Sequence, residues 1–186
     1  MEEDAELQGH RLWVGMTSEG EAAVGRIAIW AASVEDNLVE LCVSLINPLD
    51  HEVGYAVVAN MSASSMIQLA RKLATDSDAV SDEDRAEVQA MLTEAKAALE
   101  QRNRILHASV GEIMFEDKTA FRHRRKRGSA ASGQQPRWET TLRGVDELDE
   151  IGAHLFRVSE DLWGYLNLPP EEFLTALPLE PERSPD

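Results

Sequence analysis

The stretch "EQRNRILHASVGEIMF", residues 100–115, decides how the rest of the chain is read. It closes the clearest periodic segment, "DEDRAEVQAMLTEAKAALEQRNRILHAS". There Val88, Met91, Ala95, Ala98, Arg102 and Ile105 recur at three- and four-residue steps, beside a second row of Leu92, Leu99 and Leu106. The segment is therefore expected to be a helix, with Gly111 as its stop. Arg102 then occupies a slot where the pattern asks for an aliphatic side chain. A buried guanidinium is costly unless it is paired. Asn103 and His107 stand four residues apart, one above the other on an adjoining face.

Working outward, "GEAAVGRIAIWAASVEDNLVELCVSLI" has the same periodicity, through Ile27, Trp30, Val34, Leu38, Leu41 and Leu45. It is expected to be a long helix stopped by Pro48. "NPLDHEVGYAVVAN" reads as a connection, its "YAVV" either a short strand or a packed loop. "SASSMIQLARKLAT" is a shorter helix with Ser62 as its cap and Met66, Leu69, Ala70 and Leu73 on one face. Ser81 and Asp84 resemble a capping box for the helix that follows. After Gly111, "EIMFEDKTAFRHRRK" suggests two short strands about a turn. "RWETTL" is either a third strand or the lead into the last helix, which carries Val145, Leu148, Ile151, Leu155, Val158, Leu162 and Leu166 inward.

These elements predict a mainly α protein, a bundle of four to five helices with a small β-hairpin insert before the last long helix. The expected organisation is a flexible acidic N-terminus (1–16), one helical-bundle domain (17–167) and a Pro-rich acidic tail (168–186). The β/loop insert with its basic arm covers about 111–140.

Composition narrows the function. The chain has 186 residues, is 43% hydrophobic and carries a net charge of −16. That charge excludes a generally basic nucleic-acid surface and confines any such contact to a local patch. The single cysteine, Cys42, lies among leucines and is expected to be a core residue. With no disulfide to form, a reducing cytoplasm is the expected location. The start lacks the apolar core of a signal peptide, and the most apolar run is too short to cross a bilayer. No zinc-type Cys/His spacing and no phosphate-binding glycine loop occurs, so no metal or cofactor is expected. The four tryptophans are expected to pack. His10, His51 and His154 show no partner spacing, and Asp146, Glu147, Asp149 and Glu150 read as a solvated helix start.

Within this frame "RNRILH", residues 102–107, resembles the Arg-x4–6-His signature of the HEPN superfamily, many of whose members are ribonucleases. A polar residue commonly follows the arginine there, as Asn103 does here. The resemblance covers roughly residues 20–166, although its specific part is six residues long. It implies a HEPN-like bundle and metal-independent RNA cleavage, with Arg102, Asn103 and His107 as the catalytic residues. A histidine can move the proton of a ribose 2′-OH near neutral pH, and an arginine fork can steady phosphate charge. It also implies a toxin or a stress or defence effector, with an antitoxin or other protein as partner.

Arg102 and His107 are five residues apart, about 140° around a helix. HEPN proteins commonly bring two motifs together, so a two-fold homodimer is expected. The run "FRHRRKRG" supplies Arg122, Arg124, Arg125, Lys126 and Arg127 as candidate RNA-binding residues. Two alternatives stay open. Arg102 pairs with Glu35 or Asp36 in a non-catalytic dimerisation or protein-interaction module of HEPN-like fold, or the bundle binds a nucleotide without turnover.

Overall fold

The computed structural model describes residues 16–77, 80–113, 118–124 and 138–167. Among these are five helices, α1 (Ser18–Ile46), α2 (His51–Val58), α3 (Ala63–Asp76), α4 (Asp82–Leu106) and α5 (Val145–Leu166). Three strands, β1 (Ser109–Ile113), β2 (Lys118–Arg124) and β3 (Trp138–Arg143), lie between α4 and α5. The chain is mainly helical with one small antiparallel sheet. The expected N-terminal and C-terminal segments, apart from Met16, lie outside the described residues.

Polar side chains start the helices. Thr17 Oγ1 accepts from the Gly20 amide at 3.1 Å ahead of α1. Asp50 accepts from Glu52 N at 3.2 Å ahead of α2, and Ser62 from Ser65 N at 3.2 Å ahead of α3. Such caps satisfy amides that a first turn leaves without partners. At α4, Ser81 Oγ accepts from Asp84 N at 3.1 Å and donates to Asp84 Oδ2 at 2.6 Å. The aspartate thus reaches the serine hydroxyl, being too short to return to its amide as a capping-box glutamate does. Arg85 ties the α3–α4 turn by donating to the carbonyls of Ala74 at 3.0 Å and Val80 at 3.3 Å.

The described residues gather into two compact units. One takes the described residues of 16–29 and 100–153, and the other those of 30–99 and 154–167. In the second, Ala31, Val34, Leu38, Leu41, Cys42 and Val43 of α1 are buried, as are Val88, Leu92, Ala95 and Ala98 of α4 and Leu155, Val158 and Leu162 of α5. Burying a leucine or valine side chain contributes roughly 1.5–3 kcal/mol. Trp30 meets Phe156 edge to face with ring centroids 4.6 Å apart. A polar seam crosses the same helices. Ser33 and Ser159 share a hydroxyl hydrogen bond at 2.7 Å, and buried Asn37 donates to the Ser159 carbonyl at 2.9 Å.

In the first unit the sheet has the order β1-β2-β3. Phe121 is fully buried and Thr119 nearly so. Side chains alternate across a strand, so Lys118, Ala120 and Arg122 take the other face. Arg26 of α1 pairs with Asp149 of α5.

Three expectations need correction. The "YAVV" segment is neither strand nor loop but the end of α2. Gly54 lies buried against Val43, close enough that an added Cβ would sit 2.9 Å from the Val43 Cα. The helix before the sheet ends at Leu106, not at Gly111, which is paired with Ala120 inside β1. The open choice for "RWETTL" resolves as β3, so the insert is a three-stranded sheet and not a hairpin.

Candidate functional site

The row that Arg102 interrupts is a buried row. Val88, Ala95 and Ala98 have no exposure and Ile105 is 4% exposed. Arg102 itself is half-buried and Met91 likewise. Its stem therefore lies with the apolar side chains, as long cationic side chains do when they carry their charge toward water. Arg102 Nη1 donates to Asn103 Oδ1 at 2.9 Å. This bond orients the guanidinium and uses the amide oxygen of Asn103, leaving the amide NH2 as its donor group.

His107 is exposed and stands in the turn after α4. It keeps a helical tie, since its N–H donates to the Asn103 carbonyl at 3.2 Å. The Ala108 amide follows by donating to the Ile105 carbonyl at 3.2 Å, a tighter closing turn. Arg102 and Asn103 are thus brought together through their side chains, and His107 is joined to Asn103 through the backbone. An imidazole can accept and return a proton, and a guanidinium can hold a phosphate.

Of the basic run, Arg122 is exposed on β2. Arg124 ends that strand. Arg125, Lys126 and Arg127 lie outside the described residues. The sheet register joins the run to the motif. Ser109, two residues after His107, is the Cα partner of Arg122. Two residues span at most roughly 7 Å and paired strands lie roughly 5 Å apart, so the Cα atoms of His107 and Arg122 are within roughly 12 Å.

Charge is unevenly placed. Residues 100–153 hold ten Lys/Arg against nine Asp/Glu, a net +1, and the remainder of the chain carries −17. The motif and the sheet both belong to this near-neutral segment.

Several residues do more than their sequence context suggested. Asp149, read as solvent-facing, pairs with Arg26, and Glu147 Oε2 accepts from Gly144 N at 3.0 Å at the start of α5. His154 meets Glu94 at 3.2 Å. Neither long-range partner carries a sequence signal, being 123 and 60 residues away. Trp163, expected to pack, is 56% exposed, because it falls on the outer side of α5 between buried Leu162 and the solvent-facing Gly164. Trp13 and His10 lie outside the described residues. Cys42 is buried as expected, with desolvation pushing its thiol up to about 11.

Among the described residues no cluster of His, Cys, Asp or Glu is arranged to hold a metal ion, and no helix is long and apolar enough to cross a membrane. Comparison with protein-family models, with curated proteins and with solved structures gives no match.

Proposed function

We propose that this chain is a HEPN-like, metal-independent endoribonuclease working in the cytoplasm as a homodimer. The observation that carries the reading is Arg102. It is half-buried in an otherwise apolar row, its guanidinium is bonded to Asn103, and an exposed His107 follows five residues later.

The chemistry divides among the three residues. The substrate 2′-oxygen attacks the adjacent phosphorus and the bond from phosphorus to the 5′-oxygen breaks. His107 takes the proton from the 2′-hydroxyl, and a proton is returned to the leaving 5′-oxygen. The products are a 2′,3′-cyclic phosphate and a free 5′-hydroxyl. Arg102 steadies the charge that gathers on the non-bridging oxygens, and Asn103 holds Arg102 in place. In a two-fold dimer the partner's motif supplies the second proton-transfer group. A toxin or defence role, with an antitoxin as partner, follows the family resemblance.

The test is cleavage of a labelled structured RNA in EDTA by wild type, Arg102→Ala and His107→Ala, with circular dichroism confirming that each variant is folded. Loss of at least a hundredfold in both variants supports the reading, since proton transfer alone is worth roughly 10²–10⁴-fold. Equal activity in all three, or no cleavage by wild type across several RNAs, refutes it.

A second reading is a non-catalytic protein-interaction module. Val53 and Val57, four residues apart on α2, are 51% and 49% exposed, and Leu49 in the turn before the helix is 89% exposed. A folded, RNA-inert protein would favour this reading.

A further inference from the structure

Residues 27–70 hold five Asp/Glu and no Lys or Arg, so α1 beyond Arg26 and all of α2 carry carboxylates without a compensating cation. Helix α5 brings exposed aromatic rings alongside them. Trp30 meets Phe156, Ser33 meets Ser159, and Asn37 donates to the Ser159 carbonyl. Position advances along both helices together, so α1 and α5 run parallel here. One turn further on, at roughly 1.5 Å per residue, Glu40 of α1 comes level with Trp163 of α5.

Phe156, Glu160 and Trp163 stand at i, i+4 and i+7 on α5, and Ser33, Asp36 and Glu40 at i, i+3 and i+7 on α1. Each set shares one face of its helix. The contacts of Ser33 and Phe156 set the two rows on either side of the α1–α5 seam. Phe156 is 39% and Trp163 56% exposed, and Asp36 and Glu160 are exposed. Tyr55 of α2 reaches the same place and donates to the Glu40 carboxylate at 2.8 Å. All of these residues belong to one compact unit.

Charge decides what such a face can hold. A two-fold contact meets its own surface, so a second copy would set carboxylates against carboxylates. An anionic bilayer or a nucleic acid would meet the same repulsion. A cationic partner is attracted instead, and the rings add apolar area and a stacking surface for Lys or Arg. A pair of helices offers no strand edge for an extended chain to bond, whereas a helix can lay its apolar stripe along a seam. Phe156 and Trp163 are seven residues apart, roughly 10 Å or two helical turns.

We propose that the α1–α5 seam is the docking surface for a basic amphipathic helix of another protein, with Phe156 and Trp163 taking its apolar side chains and Asp36 and Glu160 its Lys or Arg. No residue of this face belongs to the Arg102–His107 motif, so binding there stands whether or not RNA is cleaved.

The probe is a fluorescein-labelled amphipathic Leu/Lys helical peptide, followed by anisotropy with the full chain. The proteins are wild type, Trp163→Ser, Trp163→Phe, Asp36→Asn with Glu160→Gln, and the control Glu83→Gln with Glu87→Gln on α4. Both doubles raise the net charge by the same amount. Trp163→Ser is expected to lose about tenfold or more in affinity, as truncation of a central interface tryptophan does, and Trp163→Phe to stay within about threefold of wild type. The seam double is expected to lose about fivefold and to weaken the salt dependence, with the α4 double within about twofold.

Equal weakening by the two doubles would reduce the binding to bulk charge and overturn the proposal. So would an indifferent Trp163→Ser whose circular dichroism matches wild type, equal affinity for a Leu/Glu peptide of the same pattern, or no binding by wild type. Sedimentation is run alongside. Self-association of wild type that Trp163→Ser abolishes would assign the face to a second copy and likewise overturn it.

Discussion

Gly54→Ala is a substitution on which two physical effects disagree in sign. Alanine is the better helix former by about 1 kcal/mol, so propensity alone predicts a gain within α2. The packing predicts a loss. The new methyl carbon would stand 2.9 Å from both the Cα and the Cγ1 of Val43. One of those atoms is backbone in the middle of α1 and has no rotamer through which to escape. Relief requires α2 to move off α1, and forced overpacking of this kind costs about 1–3 kcal/mol. The net expectation is a loss on the order of 1–2 kcal/mol. For a chain of this size that lowers Tm by about 2–8 °C. Gly164 of α5 is the control, because a Cβ there meets nothing within 4 Å. Gly164→Ala keeps only the propensity term and is expected to raise stability by about 0.5–1 kcal/mol. Urea unfolding followed by far-ultraviolet circular dichroism reads both variants against wild type. A Gly54→Ala protein as stable as Gly164→Ala would refute the close approach of α2 to α1.

The polar seam and the buried thiol give two further expectations. Asn37→Ala removes the buried amide that donates to the Ser159 carbonyl at 2.9 Å, and loss of that bond is expected to cost about 0.5–1.5 kcal/mol in the same urea assay. Cys42, its thiol pushed from 9.0 to about 11 by burial, is expected to react with iodoacetamide at pH 8.5 at least a hundredfold more slowly in the native protein than in urea. The raised value means that the folded state holds a proton which the unfolded state releases first. This contribution is whole below pH 9 and is lost as pH rises toward 11. Cys42→Ala should therefore flatten the stability profile over that window, and an unchanged profile would show that the thiol does not contribute to it.

Helices α1, α3, α4 and α5 were legible because each repeats its apolar residues at three- and four-residue steps over at least three turns. Helix α2 was not. Its eight residues include three valines and a glycine, a composition that suits a strand or loop. What makes it helical is the Asp50 cap and the seating of Gly54 on Val43, a tertiary contact that no local pattern encodes. The end of α4 was misplaced for a related reason. Glycine is a frequent helix stop, but here the chain turns at His107 and pairing with β2 absorbs Gly111. Arg102 was legible as a break in a stripe. Its bond to Asn103 was not, because adjacent residues on a helix do not ordinarily face one another. Arg122 was visible as part of a basic run, but its place opposite Ser109 and Thr140 required the strand register.

The junction between α4 and the sheet has a mechanical consequence. Only His107 and Ala108 separate the end of α4 from the start of β1, and both amides are already bonded back to the helix. Such a joint has no slack to absorb a pull. A load taken up on β2 passes across the ladder to β1 and arrives at His107 within two residues, so the sheet acts as a handle and the histidine as the point nearest its pivot. Strain or relaxation in one should then register in the other, and the amides of His107 and Ala108 should exchange with solvent in step with those of β1.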